Sequence, residues 1–192
     1  MRKLFVFALL TLSVTSVSHG ANDSPVGGGN NNAPGDYHVL QVFDSRGRSV
    51  GPVFSTSLAT GVILNVSGAN ILVPIQRVSN SAGHYSASQY QWSGASPSFP
   101  TTNCSGPPVI SDISAALRPV LVVRNGADAT AYIAPDGYTS MITLLSYAPS
   151  EGQCVAFGSS PTSPPVFSVY GWNPGGTYPL TQNYPEPLTI HY

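Results

Sequence analysis

Short apolar segments separated by turn-forming residues are the feature of this sequence that most restricts its fold. The chain contains 19 glycines and 18 prolines among its 192 residues, and they interrupt the apolar runs before an amphipathic helix reaches the roughly three turns that a stable helix needs. Short runs bounded by Gly, Pro, Asn and Ser are typical of β-strands joined by turns. We predict about ten strands, near residues 37–43, 49–54, 62–66, 70–78, 84–91, 120–124, 130–133, 141–147, 154–157 and 166–170.

This pattern predicts an all-β fold, an antiparallel β-sandwich or barrel of about ten short strands with at most one short helix. The helix candidate is segment 111–117, where Ser111 can cap the first turn and a run of Ala-Ala-Leu favours helix. Pro119 stops it within about two turns.

Two segments are predicted to be hairpin loops. Residues 44–47 and 67–70 each separate two apolar runs and supply Gly or Asn where a positive φ angle is needed. Pro74 lies inside the predicted strand 70–78 and has no backbone N–H to donate, so we expect it to mark an edge strand or a bulge.

The first twenty residues have the organisation of a secretory signal peptide. A positively charged start precedes the apolar run 4–12, and the segment ends in Ser18-His19-Gly20, with small residues at positions −3 and −1. We expect cleavage after Gly20. The mature protein is then predicted to be secreted, periplasmic or located at the cell surface.

The rest of the chain divides into two parts. Residues 21–36 are rich in glycine and asparagine and have too few apolar side chains to form a core, so they are predicted to be a flexible leader. Residues 37–192 have the length of a single β domain. We expect no membrane span in the mature chain, because no second apolar stretch approaches about 20 residues.

The charge of the mature chain excludes several functions. After Gly20 there are five arginines and no lysine against eight acidic residues, a net charge of −3. Nucleic-acid binding needs a basic stripe, which the sequence lacks. A Schiff-base lysine, a Ser-Lys dyad and a phosphate-binding Walker lysine are excluded by the missing residue type.

Cys104 and Cys154 are the only cysteines. An even number of cysteines in an exported chain predicts one disulfide between them. Their spacing does not fit a zinc site or a redox motif. A free reactive thiol and an intermolecular bridge are the alternatives.

No arrangement of residues predicts catalysis or metal binding. The mature histidines, His38, His84 and His191, form no HxH or HExxH motif. Asp36 and His38 fall on one strand face, a spacing that often occurs by chance, and we favour an ordinary surface position over a metal site for them. A GxSxG nucleophile motif is absent, and most acidic residues lie in predicted turns. We therefore expect neither enzymatic activity nor a cofactor.

Aromatic side chains are the remaining candidates for a binding site. Tyr90, Trp92, Tyr170 and Trp172 lie in short polar stretches, where aromatic rings can stack on sugars or anchor a protein contact. Packing in the core is the alternative role for each. A glycan or a surface protein is the partner that this interpretation predicts.

Three segments of the chain resemble an uncharacterised β-rich domain of exported bacterial proteins. They are residues 42–51 (VFDSRGRSVG), 101–110 (TTNCSGPPVI) and 152–154 (GQC). The domain often lies at the carboxyl end of collagen-like or tail-fibre-like surface proteins. The resemblance would cover about residues 37–192, supports Cys104 and Cys154 as disulfide partners, and carries over no catalytic residues. The chain departs from that setting because no Gly-X-Y stretch precedes the domain.

Three hypotheses follow for the function. The first is an exported, non-enzymatic β domain that acts as a surface or extracellular binding module. The second is a structural head of a homo-oligomeric surface appendage, in which exposed strand edges form subunit interfaces. A polysaccharide hydrolase is the third.

Overall fold

The computed structural model describes residues 39–55, 60–149, 152–160 and 163–192. The predicted signal peptide, the predicted leader, and Tyr37 and His38 lie outside the described residues. Within them the chain is all-β, as predicted, with antiparallel sheets and one short helix. The strands are β1 Gln41–Phe43, β2 Ser49–Ser55, β3 Thr60–Val66, β4 Ala69–Ser79, β5 Tyr85–Trp92, β6 Ser98–Phe99, β7 Val120–Asn125, β8 Asp128–Ile133, β9 Ser140–Leu144, β10 Ser146–Tyr147, β11 Val155–Ala156, β12 Phe167–Gly171, β13 Gly176–Pro179 and β14 Thr189–His191, and the helix is α1 Leu180–Asn183.

Six strands form the largest sheet, in the order β14-β1-β2-β3-β4-β5. At its far edge the N–H of Tyr90 donates to the carbonyl of Leu188, and the N–H of Leu188 donates to the carbonyl of Tyr90, both at 2.8 Å. Leu188 immediately precedes β14, so these two bonds connect the first and last strands of the sheet. The sheet is therefore a nearly closed barrel, an arrangement that leaves less strand edge exposed than an open sheet does.

Alternate residues of the central strands build the core, because successive side chains of a strand point to opposite faces. The polar side chains of β3 and β4 either alternate with the buried apolar residues of the same strand or lie towards the strand ends. The fully buried Trp92 packs against the same core from the end of β5. The buried apolar residues of β3 and β4 are Val62, Leu64, Val66, Ile71, Val73 and Ile75.

Three smaller sheets complete the domain. The sheet β13-β8-β7, together with α1, adds to the barrel core. The sheet β11-β10-β6 and the ribbon β12-β9 lie beside a second, smaller cluster. The buried residues contributed to the main core by β7, β8 and α1 are Val122, Ala129, Ala131, Ile133 and Leu180, and those of the second cluster are Val109, Ile142 and Leu144.

Both predicted hairpin loops are confirmed. The first connects β1 and β2, and Gly47 has the positive φ of 75° that its turn needs. The second connects β3 and β4 through a two-residue turn, with φ of 51° at Ser67 and 85° at Gly68. Positive φ at both central residues is the mark of a type I′ hairpin turn.

The predicted helix at residues 111–117 is wrong. The side chain of Asp112 accepts hydrogen bonds from the N–H of Ser114 at 3.0 Å and from its hydroxyl at 2.7 Å, so an Asx turn replaces the first helical turn. The helix of the structure, α1, is four residues long and lies elsewhere. Within the described ranges, no helix combines the length and the apolar character needed to cross a bilayer.

The prediction that Pro74 marks an edge or a bulge is also wrong, because β4 pairs with β3 on one side and β5 on the other. Pro74 lies opposite Gly61, and its carbonyl accepts from the N–H of Ser93, one residue beyond the end of β5, at 2.9 Å. In an antiparallel strand the N–H and C=O of a residue face the same neighbour. The position where Pro74 lacks an N–H therefore faces the end of β5, where the pairing of β4 with β5 stops.

Sequence patterns missed three strands and merged two others. β6, β13 and β14 are absent from the prediction, because they are two to four residues long and carry no alternating apolar pattern. The predicted strand 141–147 is divided at Leu145 into β9 and β10, which belong to different sheets.

The predicted disulfide is confirmed. Cys104 and Cys154 are bonded, with their Cα atoms 5.8 Å apart. The bond joins the loop after β6 to the segment before β11. Both of these strands are only two residues long. Short strands contribute few ladder hydrogen bonds, and a covalent link compensates for this.

Candidate ligand-binding groove

A groove of about 640 Å³ opens where three distant segments meet. These are residues 94–97 after β5, residues 123–126 at the end of β7, and residues 148–149 with 152–154 beside the disulfide. We call it the disulfide groove, because Cys104 and Cys154 form part of its wall. Its polar and aromatic lining consists of Gln76, Ser96, Phe99, Arg124, Asn125, Tyr132 and Gln153.

Hydrogen bonds hold the wall formed by residues 94–97 in place. The N–H of Ala95 donates to the carbonyl of Val122 at 2.9 Å, which attaches residues 94–97 to the edge of β7. The N–H of Ala148 donates to the carbonyl of Pro97 at 2.9 Å, and the Ser96 hydroxyl donates to the carbonyl of Pro149 at 3.2 Å. This wall is therefore tied to both neighbouring segments.

Gly94 makes this close approach possible. A Cβ atom at Gly94 would lie 2.7 Å from Cγ of Arg124 and 3.0 Å from its backbone nitrogen. Both distances are below ordinary contact, so any larger residue would push the wall away from β7. The glycine is thus required by packing at the base of the groove.

The disulfide wall is organised around a buried serine. Ser146 has no exposed surface; its hydroxyl donates to the carbonyl of Thr101 at 2.6 Å and accepts from the N–H of Cys104 at 3.0 Å. Cys104 has a φ of 54°, a conformation unusual for a residue with a side chain. The Ser146 hydrogen bond and the disulfide together hold it there.

An ion pair lies at the base of the groove. The guanidinium of Arg124 donates to the two carboxylate oxygens of Glu186 at 2.6 and 3.1 Å, and the side chains are 20% and 18% exposed. Glu186 also accepts from the N–H of Trp92 at 2.6 Å, and Arg124 donates to the carbonyl of the same residue at 3.0 Å. The positive charge of Arg124 is therefore already balanced within the protein.

Carboxamide side chains supply the remaining polar groups of the groove. Asn125 and Gln153 are exposed, and no hydrogen bond engages their side chains with another described residue. Gln76 is also exposed, and its oxygen accepts from the Ser93 hydroxyl at 3.2 Å. A carboxamide both donates and accepts, so these groups can bind hydroxyl-rich ligands.

A second hollow, of about 390 Å³, adjoins the groove. We call it the Tyr90 hollow; Gln76 lines both it and the disulfide groove. The guanidinium carbon of Arg77 lies 4.9 Å from the centre of the Tyr90 ring, a cation–π contact. Arg77 also donates to the carbonyls of Ser86 and Ala87, at 3.0 and 2.6 Å.

The structure does not bring the four predicted aromatic residues together. Tyr90 is half-buried in its hollow. Trp172 is half-buried, and its indole N–H donates to the carbonyl of Gly137 at 3.0 Å. Tyr170 is 59% exposed on β12. Neither of these last two residues lines the groove or the hollow.

Trp92 requires a correction. It has no exposed surface, and its indole N–H donates to the carbonyl of Tyr184 at 3.2 Å. A side chain in this position cannot stack on a ligand, so the alternative role, packing in the core, applies to Trp92. Its backbone nonetheless contacts the Arg124–Glu186 pair, so Trp92 supports the base of the groove.

Sequence reasoning missed the carboxamides of the groove. In a chain so rich in polar uncharged residues, Gln76, Asn125 and Gln153 have no pattern that marks them. Only Gln153 had a signal in the sequence. It precedes Cys154, and a residue next to a disulfide lies in a loop that the bond holds in place.

Metal ligands are not grouped in the part of the chain that the structure describes. No set of three or more His, Cys, Asp or Glu side chains there could hold a metal ion. His191 lies with its ring stacked on Phe43, the centroids 3.9 Å apart. Asp36 and His38 lie outside the described residues.

The comparisons with known proteins identify no family. No protein-family model matches the chain, and neither the curated proteins nor the solved structures that were searched contain a match. The resemblance to a β-rich domain of exported bacterial proteins thus stays a prediction from the sequence.

Proposed function

We propose that this protein is an exported, non-enzymatic binding module that holds its ligand in the disulfide groove. The observation that carries the proposal is the pair of exposed carboxamides, Asn125 and Gln153, which line a groove of about 640 Å³. A volume of this size suits a small ligand, for which the usual range is about 300–1,000 Å³. The groove is also built to be rigid, and rigidity limits the entropy lost on binding.

Three features support export. The N-terminal twenty residues have the pattern of a signal peptide. The domain contains a disulfide, which persists in oxidising compartments. The segments that resemble a domain of exported bacterial proteins point to the same location.

The chemistry of the lining supports binding rather than catalysis. Carboxamides and serine hydroxyls do not ionise near neutral pH, and Arg124, the charged side chain of the groove, is paired with Glu186. General acid–base catalysis needs a group that titrates near the working pH. These residues can instead position hydroxyl groups, which suits recognition of a glycan.

A glycan screen tests the proposal. The mature chain is applied to an array of bacterial, plant and animal glycans, together with the variants Asn125→Ala and Gln153→Ala. Binding to at least one glycan should weaken by about tenfold in each variant, the effect of losing about 1.4 kcal/mol. Gln89→Ala and Asn173→Ala, which change exposed residues outside the groove, should bind like the wild type. Equal binding by all five proteins, or no binding to any glycan, would contradict the proposal.

A second candidate function, the head domain of a homo-oligomeric appendage, is favoured by the outer face of the β12-β9 ribbon. Met141 and Tyr170 lie opposite each other on it and are 64% and 59% exposed. Thr143 and Ser168 form the next pair, with their hydroxyl oxygens 3.0 Å apart. These four side chains carry no charge, and an uncharged aromatic patch is characteristic of the centre of a subunit interface.

Light scattering after size exclusion tests this second function. The wild type should be an oligomer that the double variant Met141→Glu/Tyr170→Glu converts to monomers. The control, Thr130→Glu/Gln89→Glu, changes strand residues outside the ribbon and should keep the oligomeric state. A monomeric wild type at the concentration used for the glycan screen would remove this candidate.

A further inference from the structure

We infer that the disulfide groove and the Tyr90 hollow form one continuous trough, and that its ligand is a linear, neutral oligosaccharide several sugar rings long. The inference rests on the proposed function, because it names the ligand class of the same site. It adds a second binding region, a ligand length and a ligand charge.

The two cavities share one lining residue and meet again at adjacent positions of the chain. Gln76 lines both, and Ser93 of the hollow is followed in the chain by Gly94 of the groove. Their volumes are about 640 and 390 Å³, and each by itself falls within the range that holds one small ligand. Two adjoining cavities of this size suit a ligand made of repeated units better than a single compact molecule.

Gln76 is placed to contact the ligand where the cavities meet. Its oxygen accepts from the hydroxyl of Ser93 at 3.2 Å, and its amide nitrogen has no partner among the described residues. The N–H groups of Gln76 can therefore donate to a sugar hydroxyl at the junction. Asn125 and Gln153 offer the same chemistry within the groove.

Aromatic rings line both cavities. Tyr90 contributes to the hollow, and Tyr132 contributes to the groove, where it is half-buried on β8. Rigid rings provide apolar surface at low entropic cost, and the C–H faces of sugar rings can pack on such surfaces. Amides and aromatic rings together form a lining that suits a chain of sugars.

The charges of the trough favour a neutral ligand. Arg124 is held by Glu186 in a two-bond pair, and Arg77 donates to two backbone carbonyls while lying over the Tyr90 ring. Both guanidinium groups already have partners. An anionic sugar would have to displace those partners, so it gains little over a neutral one.

The test is the dependence of affinity on chain length. The mature chain is titrated with β-1,4-linked glucose and N-acetylglucosamine oligomers of one to six units, and with polygalacturonate oligomers as the anionic counterpart. We expect the affinity for at least one neutral series to rise about tenfold or more between two and six units, with weaker binding of the anionic series. Gln76→Ala should abolish this rise with length, because it removes the amide at the junction of the two cavities.

Gln89→Ala is the matched control, since Gln89 is an exposed glutamine of β5 that lines neither cavity. Its affinity should rise with length like that of the wild type. An affinity that is independent of length but lost in Asn125→Ala would overturn the trough and leave the proposed function intact. Preference for polygalacturonate would overturn the neutral ligand. No binding of any oligomer would overturn the inference, and the glycan array decides separately on the proposed function.

Discussion

Asp44 is a buried carboxylate in a chain with few charged residues. It is 3% exposed and accepts hydrogen bonds from the backbone N–H groups of Arg46 and Arg48 at 2.9 and 3.0 Å. The Arg48 guanidinium lies 2.8 Å from its second oxygen and also contacts the carbonyl of Asn183. Burial alone would raise the pKa of Asp44, but the hydrogen bonds and charge of Arg48 and the N–H of Arg46 together lower it from its ordinary value of 3.8.

This direction predicts the pH dependence of stability. A carboxyl group whose pKa is lower in the folded state stabilises the fold above its unfolded pKa, and this contribution is lost as the pH falls through the folded value. Asp44→Asn should reduce the free energy of unfolding by about 1–3 kcal/mol at pH 7. The difference from the wild type should shrink as the pH falls below about 4.

Urea denaturation at pH 7 and pH 3 measures this effect. Asp136→Asn is the control, since the Asp136 side chain is 97% exposed and lies 3.7 Å from Arg118. Its substitution should change stability by less than about 1 kcal/mol. An Asp44 variant as stable as the wild type at pH 7 would show that the turn does not depend on the carboxylate.

At the scale of elements, the disulfide does more than join two loops. It lies in the half of the domain built from short strands, and it forms a wall of the groove. The barrel strands β3 and β4 are held instead by a long ladder and an apolar core. Loss of the disulfide should therefore loosen the two regions unequally.

Cys104→Ser/Cys154→Ser should lower the free energy of unfolding by about 2–4 kcal/mol, since the bridge restrains a long loop of the unfolded chain. Hydrogen exchange should accelerate most in β6, β10 and β11 and least in β3 and β4. Both readouts are compared with the wild type in reducing buffer, which should behave like the variant. Uniform acceleration across all strands would contradict the unequal role.

The sequence predicted some of these elements and not others, for a physical reason. The hairpin loops at 44–47 and 67–70 were predictable, because a residue that tolerates positive φ is a local requirement, although the second turn contains only residues 67–68. The helix at 111–117 was not excluded by local propensity, but hydrogen bonds from the backbone to a side chain such as Asp112 compete with helix formation over so short a segment. The carboxamides of the groove belong to segments far apart in the chain, so no spacing predicted them.

At the scale of the whole molecule, the segment before β14 closes the barrel. Leu188 is fully buried in the main core, and its backbone bonds to Tyr90 connect the two edges of the sheet. Glu186, two residues earlier, binds Arg124 at the base of the groove. The C-terminal segment therefore couples barrel closure to the geometry of the site.

Leu188→Ala should reduce the free energy of unfolding by about 2–5 kcal/mol, the usual effect of removing a buried leucine side chain. Leu40→Ala, at a site that is 40% exposed, should cost less than about 1 kcal/mol. Thermal and urea unfolding measure both variants. Equal effects of the two substitutions would indicate that the buried Leu188 side chain contributes little to stability.

The sequence alone determined the all-β class, the two hairpin turns and the pairing of the cysteines. The fold class and the turns depend on residue types acting over a few positions. The disulfide was determined because each cysteine has a single possible partner within the chain. The tertiary structure decided the rest. It closed the barrel through Leu188, buried Trp92 in the core and brought residues 94–97, 123–126 and 152–154 together around a groove. These contacts join segments distant in the chain, and packing of the whole core, rather than local conformational preference, selects them.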